Sequence, residues 1–263
     1  MNDLELFREE LAYCDERIVD ILDERYRIVE KIMKYKEEYG IPILQPFQGE
    51  KRNKHITDKI EHNRYKEEIS EVFRLIEQNS RRIQGRKLFD YNIALIGFMG
   101  TGKSTIAAYM NSIFSMDVIE MDKMIEEQEC MTISEIFAEK GESYFRNLET
   151  QFLVEMQERK NAIISCGGGV AMRECNVEAI KKNGRIVLLT ASPETILNRV
   201  RDTYERPLLS GNMNVAYIQQ LMETRRPKYE AAADVIVHTD DKTVLQICEE
   251  LIEKLLEMDE QNV

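Results

Sequence analysis

The chain has 263 residues, 43% of them hydrophobic, and a formal net charge of −12. This length accommodates one or two domains with real cores, and the acidic balance argues against a nucleic-acid or anionic-membrane partner. The first 90 residues carry 18 basic and 20 acidic side chains, and the remainder carries 18 and 28. Because cations are scarce in the second part, each arginine there is a candidate for an anion site.

The five cysteines form no C-x-x-C pair, which is typical of reduced thiols in a cytosolic protein. The acidic N-terminus lacks the basic and apolar regions of a signal peptide. No apolar run approaches the ~18 residues of a membrane span. We therefore expect a cytoplasmic protein without a membrane or nucleic-acid partner.

The first helix is predicted from spacing. No proline or glycine occurs from Asp3 to about Tyr39, and apolar residues recur at steps of three and four: Leu4, Phe7, Leu11, Cys14, Ile18, Ile21, Ile28 and Ile32. This pattern predicts one amphipathic helix about 55 Å long. Two shorter helices, predicted over 50–62 and about 66–84, cannot cover so long a stripe. A partner chain is therefore implied, and we expect a homodimer.

Helix-breaking residues follow this first helix. Gly40 and Pro42 are predicted to end it, and Pro46 and Gly49 are predicted to bound a loop before the second helix.

Several polar residues of these helices could bind a small dianion. Arg25 and Lys36 differ by about 20° in helical phase and lie roughly 16 Å apart. Arg8 lies ~25 Å from Arg25, so it could serve the same ligand only in an intertwined dimer. Ser80 and Gln84 share one face of the third helix.

At these residues the segment resembles the all-helical chorismate mutases, over nearly all of residues 1–88. The resemblance implies that Arg25 and Arg8, the latter from a second chain, clamp the substrate carboxylates. It also implies that Lys36 and Gln84 bond the ether oxygen of chorismate, and it includes Ser80 in the site. Catalysis would need only a compact bound conformer and stabilisation of developing charge.

One departure from the mutase pattern concerns Gln48 and Gly49, where the family usually has an Arg-Glu pair. Glu50 or Arg52 could replace that pair after a small shift. The alternative interpretation is a catalytically inactive helical arm that dimerises the protein or senses an effector.

The stretch Ile93–Thr105 carries the clearest motif, an apolar run followed by a Gly-rich turn and the start of a helix. Gly97, Gly102, Lys103 and Ser104 fit G-x-x-x-x-G-K-[ST], the phosphate-cradling loop. Lys103 would place a charge on the transferred phosphate, and the Ser104 hydroxyl would ligate Mg²⁺. The predicted ATP-binding residues here are Gly100, Thr101, Gly102, Lys103, Ser104 and Thr105.

Beyond a short polar connection, strand-like and helical patterns alternate. The strands are predicted at 92–97, 117–121, 162–166, 185–190 and 234–238, with a last helix at about 243–258. This order predicts a three-layer α/β domain with a five-stranded parallel sheet. With the phosphate loop and the mutase resemblance, the expected fold is a P-loop kinase preceded by an all-α three-helix domain that forms an intertwined dimer. The predicted domains are 1–88 and 91–263.

Further motifs suggest the phosphoryl acceptor. Arg146, beside aromatic residues, suits a small ring-bearing carboxylate. Asp122 follows the second strand and could accept hydroxyl hydrogens. Gly168 and Gly169 would let a substrate touch backbone, Arg206 lies in a loop typical of a mobile lid, and Arg225 is predicted to follow a helix.

In this order and spacing the motifs resemble shikimate kinase, over about 92–257. The resemblance implies that Asp122 binds ring hydroxyls and takes the proton of the attacking one. Arg146 and Arg225 would hold the carboxylate, and Gly168 and Gly169 would line the pocket. The nucleotide-side residues implied by the resemblance are Lys103, Ser104, the loop amides, Arg206 as a lid cation and Arg201 at the adenine face.

The family often has Asp-x-Asp where this chain has Glu120-Met121-Asp122, so we expect Glu120 near the metal with a shifted geometry. The predicted function is a bifunctional enzyme of aromatic biosynthesis that phosphorylates shikimate with ATP–Mg²⁺ and rearranges chorismate to prephenate. The alternatives are a shikimate kinase with an inactive arm, or a kinase for gluconate or nucleoside monophosphates.

Overall fold

A computed structural model describes residues 2–44, 46–201 and 214–261, without the side chains of 46–53. The chain divides into two compact units, Met1–Lys87 and Leu88–Val263. Within the described ranges, no helix is both long enough and apolar enough to cross a membrane.

The first unit consists of three helices: α1 (Asp3–Glu38), α2 (Pro46–Glu61) and α3 (Lys66–Leu88). The side chain of Asn2 accepts a hydrogen bond from the Leu4 N–H, and the Glu5 carboxylate accepts one from the Asn2 N–H. This capping box fixes the start of α1. The predicted long first helix is confirmed, and the positive φ of Gly40 follows its end.

The predicted loop between Pro46 and Gly49 is wrong, because α2 begins at Pro46 and includes Gly49. Proline is well tolerated in the first helical turn, where its missing N–H would have no intrahelical partner. An interior glycine costs only about 1 kcal/mol. The third helix also continues four residues beyond its predicted end at residue 84.

The apolar stripe of α1 is largely uncovered by its own chain. Val29 and Met33 are the buried residues of α1. The other apolar side chains of the stripe are 45–62% exposed: Leu4, Phe7, Leu11, Ile18, Ile21, Ile28 and Ile32. A contiguous exposed apolar surface of this length is typical of an interaction site.

The second unit contains a parallel sheet of order β2-β3-β1-β4-β5. The strands are β1 (Asn92–Ile96), β2 (Asp117–Glu120), β3 (Ala162–Ser165), β4 (Gly184–Thr190) and β5 (Val235–His238). All five predicted strands are confirmed, and each predicted end lies within one residue of the observed end. β1 is buried at every position, as expected for the central strand of a sheet with both faces covered.

Eight α-helices of the described second unit surround this sheet. They are α4 (Lys103–Phe114), α5 (Met121–Glu129), α6 (Ile133–Lys140), α7 (Glu142–Glu155), α8 (Glu174–Lys181), α9 (Pro193–Val200), α10 (Val215–Ala232) and α11 (Val244–Gln261). A 3₁₀ turn, Val170–Met172, follows β3. Because the strands are parallel, their carboxyl ends lie at one edge of the sheet, where α/β proteins bind ligands.

Candidate active sites

The predicted phosphate loop joins β1 to α4. Gly97 has φ +140°, and a Cβ atom there would lie 2.3 Å from the carbonyl oxygen of Leu189 on β4. Only glycine therefore lets the loop pass that strand. Gly102 has φ +97° and immediately precedes α4. The loop thus leads into a helix N-terminus, where unpaired N–H groups and the helix dipole favour an anion.

Lys103 lies over this loop. Its Nζ donates to the carbonyl oxygens of Gly97 at 3.0 Å and Phe98 at 3.1 Å. Thr101 is buried, and its hydroxyl donates to the same Phe98 carbonyl at 2.8 Å, so this side chain braces the loop from inside. Thr105 is exposed on the first turn of α4.

Three oxygen-bearing side chains meet beside the loop. The Ser104 hydroxyl donates to Glu120 Oε2 at 3.1 Å and lies 3.5 Å from the Ser165 hydroxyl. Glu120 and Ser165 end neighbouring strands and are paired in register. Hydroxyl and carboxylate oxygens are ligands that Mg²⁺ accepts, alongside the phosphates and waters that it usually retains. The donor set therefore fits a magnesium ion held mainly by a bound nucleotide.

Asp122 lies in the first turn of α5, directly after β2. The residue is exposed to solvent overall, but protein atoms around its carboxyl group displace part of the hydrating water. This desolvation raises the pKa of the carboxyl group, and the charge of Lys103 opposes the effect. A Cβ atom on Gly167 would lie 2.7 Å from Asp122 Oδ1. The carboxylate is thus held next to bare backbone at the end of β3, with a pKa above that of an ordinary aspartate.

Arg146, on α7, is held by two carboxylates of its own helix. Its Nη2 lies 2.9 Å from Glu142 Oε1, and its Nη1 lies 2.8 Å from Glu149 Oε2. The guanidinium carbon lies 5.4 Å from the centre of the Phe145 ring. A Cβ atom on Gly169 would be 2.2 Å from Arg146 Nη1. The guanidinium therefore rests against the backbone of Gly169.

Glu149 is fully buried. Burial raises the pKa of its carboxyl group, and the hydrogen bond and charge of Arg146 oppose this. Its Oε1 accepts no hydrogen bond from the described residues, although it would lie 3.0 Å from a Cβ atom on Gly167. This free acceptor faces the same stretch of backbone as Asp122.

Arg225 reaches this backbone from another helix. Its Nη1 donates to the Gly168 carbonyl oxygen at 3.4 Å, and the Tyr229 hydroxyl donates to the same oxygen at 2.5 Å. The prediction that Arg225 follows a helix is wrong, because it lies inside α10, which continues through Pro227. The buried side chains of α10, including Tyr229, keep the helix packed around the bond that proline cannot make.

Tyr229 was not predicted as a site residue. Its spacing from Arg225 was the available signal, since residues four apart lie on the same helix face.

An arginine that was not predicted as a site residue contacts the phosphate loop. Arg199 Nη1 donates to the Gly100 carbonyl oxygen at 3.3 Å and to Thr239 Oγ1 at 2.9 Å. Arg201 instead donates to Asn198. The signal for Arg199 was its position one helical turn after Ile196, which α9 buries.

Arg206, the predicted lid cation, lies outside the described residues.

In the helical unit, α1 and α3 bring predicted mutase residues together. The Arg25 guanidinium donates to the Ser80 hydroxyl, which in turn donates to the Ile76 carbonyl oxygen at 2.8 Å. Lys36 Nζ donates to the Ile43 carbonyl oxygen at 2.9 Å, and burial lowers the pKa of this lysine. Two of the predicted cations are thus oriented by neighbouring groups of their own chain.

For the other predicted mutase residues, the structure gives a position on a helix and a degree of burial. Gln84 is half-buried on α3, one turn beyond Ser80, and Arg8 is exposed near the start of α1. The side chain of Gln48 lies outside the described ranges, and so do those of Glu50 and Arg52.

The second unit combines a strand, a Gly-rich loop and a Lys-Ser helix start with an arginine-lined acceptor region. Together the fold and this site define a P-loop kinase that acts on a small molecule.

Comparison with known proteins identifies the family. The family model "Shikimate kinase" matches residues 99–256, and "Chorismate mutase type II" matches residues 7–85. The chain therefore belongs to the shikimate kinase family and is a bifunctional enzyme of aromatic biosynthesis with an N-terminal chorismate mutase domain. These matches confirm the predicted families and decide against a gluconate or nucleoside monophosphate kinase.

Similar proteins support the kinase assignment. A shikimate kinase of Caldanaerobacter subterraneus subsp. tengcongensis is 38% identical over 167 residues, which cover 64% of this chain and 97% of that protein. One from Sulfurihydrogenibium sp. is 40% identical over 164 residues, covering 62% and 97%. Among solved structures, shikimate kinase from Acinetobacter baumannii in complex with shikimate has a TM-score of 0.57 at 30% identity, covering 65% of this chain and 94% of that one.

Proposed function

We propose that domain 91–263 transfers the γ-phosphoryl group of ATP to a ring hydroxyl of shikimate, giving shikimate 3-phosphate, and that domain 1–88 converts chorismate to prephenate. The observation that carries the kinase half is the convergence of Arg146 and Arg225 on adjacent glycines beside Asp122. Two cations and a carboxylate at one turn suit an acid that also carries hydroxyl groups. A cytoplasmic location suits both reactions.

The substrate carboxylate would bind between the two arginines. Arg146 rests against Gly169, and Arg225 lies 3.4 Å from the Gly168 carbonyl. Because the guanidinium groups come from different helices, a carboxylate between them would receive hydrogen bonds from two directions. Gly168 and Gly169 would let the ring approach the backbone closely.

Asp122 would bind the ring hydroxyls and accept the proton of the attacking one. A base with a raised pKa accepts a proton more readily, while Lys103 keeps the group available as a carboxylate. A side chain at Gly167 would collide with this carboxylate at 2.7 Å, so glycine there keeps Asp122 in place.

ATP would occupy the loop from Gly100 to Thr105, with Lys103 exchanging its carbonyl partners for phosphate oxygens. Ser104 would ligate Mg²⁺, with Glu120 beside it. Bound Mg²⁺ would neutralise charge on the phosphates, and the remaining catalysis would be positioning and electrostatics.

Arg199 supports a nucleotide role better than Arg201, through its contact with Gly100. Arg206 remains the predicted lid cation, which would exclude water from the transfer.

The mutase half would use Arg25, Lys36, Ser80 and Gln84 of one chain with the partner subunit's Arg8. The uncovered stripe of α1 supports a homodimer in which a second α1 covers it. Formation of that dimer would also bring Arg8 to the other chain's site.

The kinase assignment is tested by ADP release with shikimate, gluconate and nucleoside monophosphates as acceptors. We expect turnover on shikimate, with Arg146→Ala raising its KM strongly. Arg185→Ala is the matched control, because Arg185 is bound to Asp259 and stacked on Tyr91. Turnover on another acceptor, with none on shikimate, would refute the proposal.

The mutase assignment is tested by the loss of chorismate absorbance. Wild-type enzyme should exceed Arg25→Ala, whereas equal rates would leave only a dimerising or sensing arm.

A further inference from the structure

A buried asparagine connects α7, which carries Arg146, to the turn after β3, which contains Gly168 and Gly169. Asn176, in the first turn of α8, is fully buried. Its Nδ2 donates to the Val170 carbonyl oxygen at 3.1 Å. Its Oδ1 accepts a hydrogen bond from the Thr150 hydroxyl at 2.6 Å. This amide therefore bonds both to α7 and to the turn that follows β3.

Two partners of Asn176, Thr150 and Val170, are close to the proposed carboxylate site, and a third is the neighbouring Cys175 thiol. Thr150 lies one helical turn beyond Arg146 on α7, and its hydroxyl is also 3.0 Å from the Arg146 carbonyl oxygen. Val170 immediately follows Gly169, the residue against which the Arg146 guanidinium rests. The amide thus ties the backbone that carries the arginine to the backbone that the arginine contacts.

The turn itself depends on the glycine carbonyls. The Val170 N–H donates to the Gly167 oxygen at 3.2 Å, and the Met172 N–H donates to the Gly169 oxygen at 3.0 Å. A shift of Val170 would therefore move the glycines as well. Since the arginine and Gly169 are already at the limit of close approach, their spacing depends on how α7 and this turn are held together.

We propose that Asn176 is a positioning residue for shikimate binding, which fixes the distance between Arg146 and the Gly168–Gly169 backbone. It does not touch the substrate and acts through Thr150 and Val170. The inference rests on the proposed carboxylate role of Arg146. A remote mutation that displaces a binding group by ~1 Å can lower the rate 10²-fold. A small change in the distance between Arg146 and the Gly168–Gly169 backbone would therefore be measurable.

Loss of this amide need not prevent folding. In Asn176→Ala, the Thr150 hydroxyl would still have the Arg146 carbonyl oxygen as acceptor, and the Val170 oxygen would keep the Arg173 N–H at 3.4 Å. The variant would lose only the hydrogen-bonded link between α7 and the turn that follows β3.

The experiment measures the Kd of shikimate by calorimetry, together with KM for shikimate and for ATP, in purified full-length variants. We expect Asn176→Ala to raise the Kd and KM for shikimate about tenfold, the effect of one net hydrogen bond of ~1.4 kcal/mol. The KM for ATP and the mutase rate should stay within about twofold of wild type, since such sites are independent.

A second pair of variants serves if Asn176→Ala does not fold. Thr150→Val removes the hydroxyl with little change of shape and should weaken shikimate binding, whereas Thr150→Ser keeps the hydroxyl and should restore it. Asn92→Ala is the structural control. Its buried amide bonds the Met156, Arg159 and Ala162 backbone at the opposite end of β1.

Unchanged shikimate binding in Asn176→Ala or Thr150→Val, with only a lowered Tm as in Asn92→Ala, would overturn the inference. An equal rise in KM for both substrates would do the same. Arg146→Lys separates this from failure of the proposed function: if that variant binds shikimate normally, the carboxylate role itself is wrong.

Discussion

The two units of this chain stabilise their sites differently. The kinase unit buries a parallel sheet under helices and contains nearly all of the buried apolar residues described. The helical unit buries few apolar side chains and leaves its longest helix with an exposed apolar face. In the kinase unit, Gly-rich turns at the ends of strands hold the predicted site residues. In the helical unit, the predicted site residues are spaced along long helices. The difference separates a site whose described residues all come from one chain from a site that, as we propose, needs Arg8 of a second copy.

The strongest way to separate the two sites is Lys103→Ala. Loss of the phosphate-loop ammonium should lower phosphotransfer by about 10³-fold, because in its proposed role this ammonium stabilises charge on the transferred group. Chorismate turnover by the same preparation should be unchanged. Loss of both activities together would show that the sites are not independent.

A charge on the stripe of α1 should affect only the mutase. Leu11 is 62% exposed, so Leu11→Glu should cost a single chain little stability. It would place paired carboxylates in the proposed dimer interface, and we expect dissociation and a mutase loss of about 10²-fold. Sedimentation and both assays measure this.

Tyr13→Glu is the control on another face of α1, equally exposed. A Leu11→Glu protein that stays dimeric with full mutase activity would contradict the proposed interface.

The pH dependence of the mutase sharpens the comparison further. Burial lowers the pKa of Lys36 below its ordinary 10.5, and the proposed role needs the protonated amine. Mutase kcat/KM should therefore decline about tenfold per pH unit above that lowered pKa. Lys36→Arg should move the decline to higher pH, because arginine stays charged. The same alkaline limb in both proteins would exclude Lys36 as its origin.

The smallest effect expected is a gain in stability from Asp122→Asn. The raised pKa of the Asp122 carboxyl group means that the folded state binds its proton more tightly than the unfolded chain does. Ionisation therefore destabilises the fold as pH rises above ~3.9, and fully so above the folded pKa. Because solvent screens part of this effect, we expect Tm at pH 7 to rise by only about 1–3 °C.

The gain from Asp122→Asn should shrink toward pH 4, while phosphotransfer is lost at all pH values. A lowered Tm at pH 7 would contradict the assigned direction.

Sequence predicted most of the kinase sheet because its signals are local. The buried strand before Gly97 is a continuous apolar run, and the glycine spacing of the loop reports its backbone directly. The start of α2 at Pro46 was missed because proline both breaks helices and begins them. Sequence spacing alone cannot decide whether Pro46 begins a helix or lies in a loop, because tertiary contacts of the following residues also determine this.

The arginines show a second limit. Arg199 and Arg201 are two residues apart, yet Arg199 donates to Gly100 of the phosphate loop whereas Arg201 donates to Asn198. Arg225 was identified by its motif but was placed after the helix that contains it. Which cation reaches a site depends on helix phase, which a motif does not report.

Gly169 has a consequence for how this enzyme can change. The floor under Arg146 is main chain, without room for one methyl group. Any substitution of Gly169 would add a side chain that displaces the Arg146 guanidinium. An inhibitor that pairs with the Arg146 guanidinium above this backbone would therefore meet a surface with few routes to resistance by point mutation.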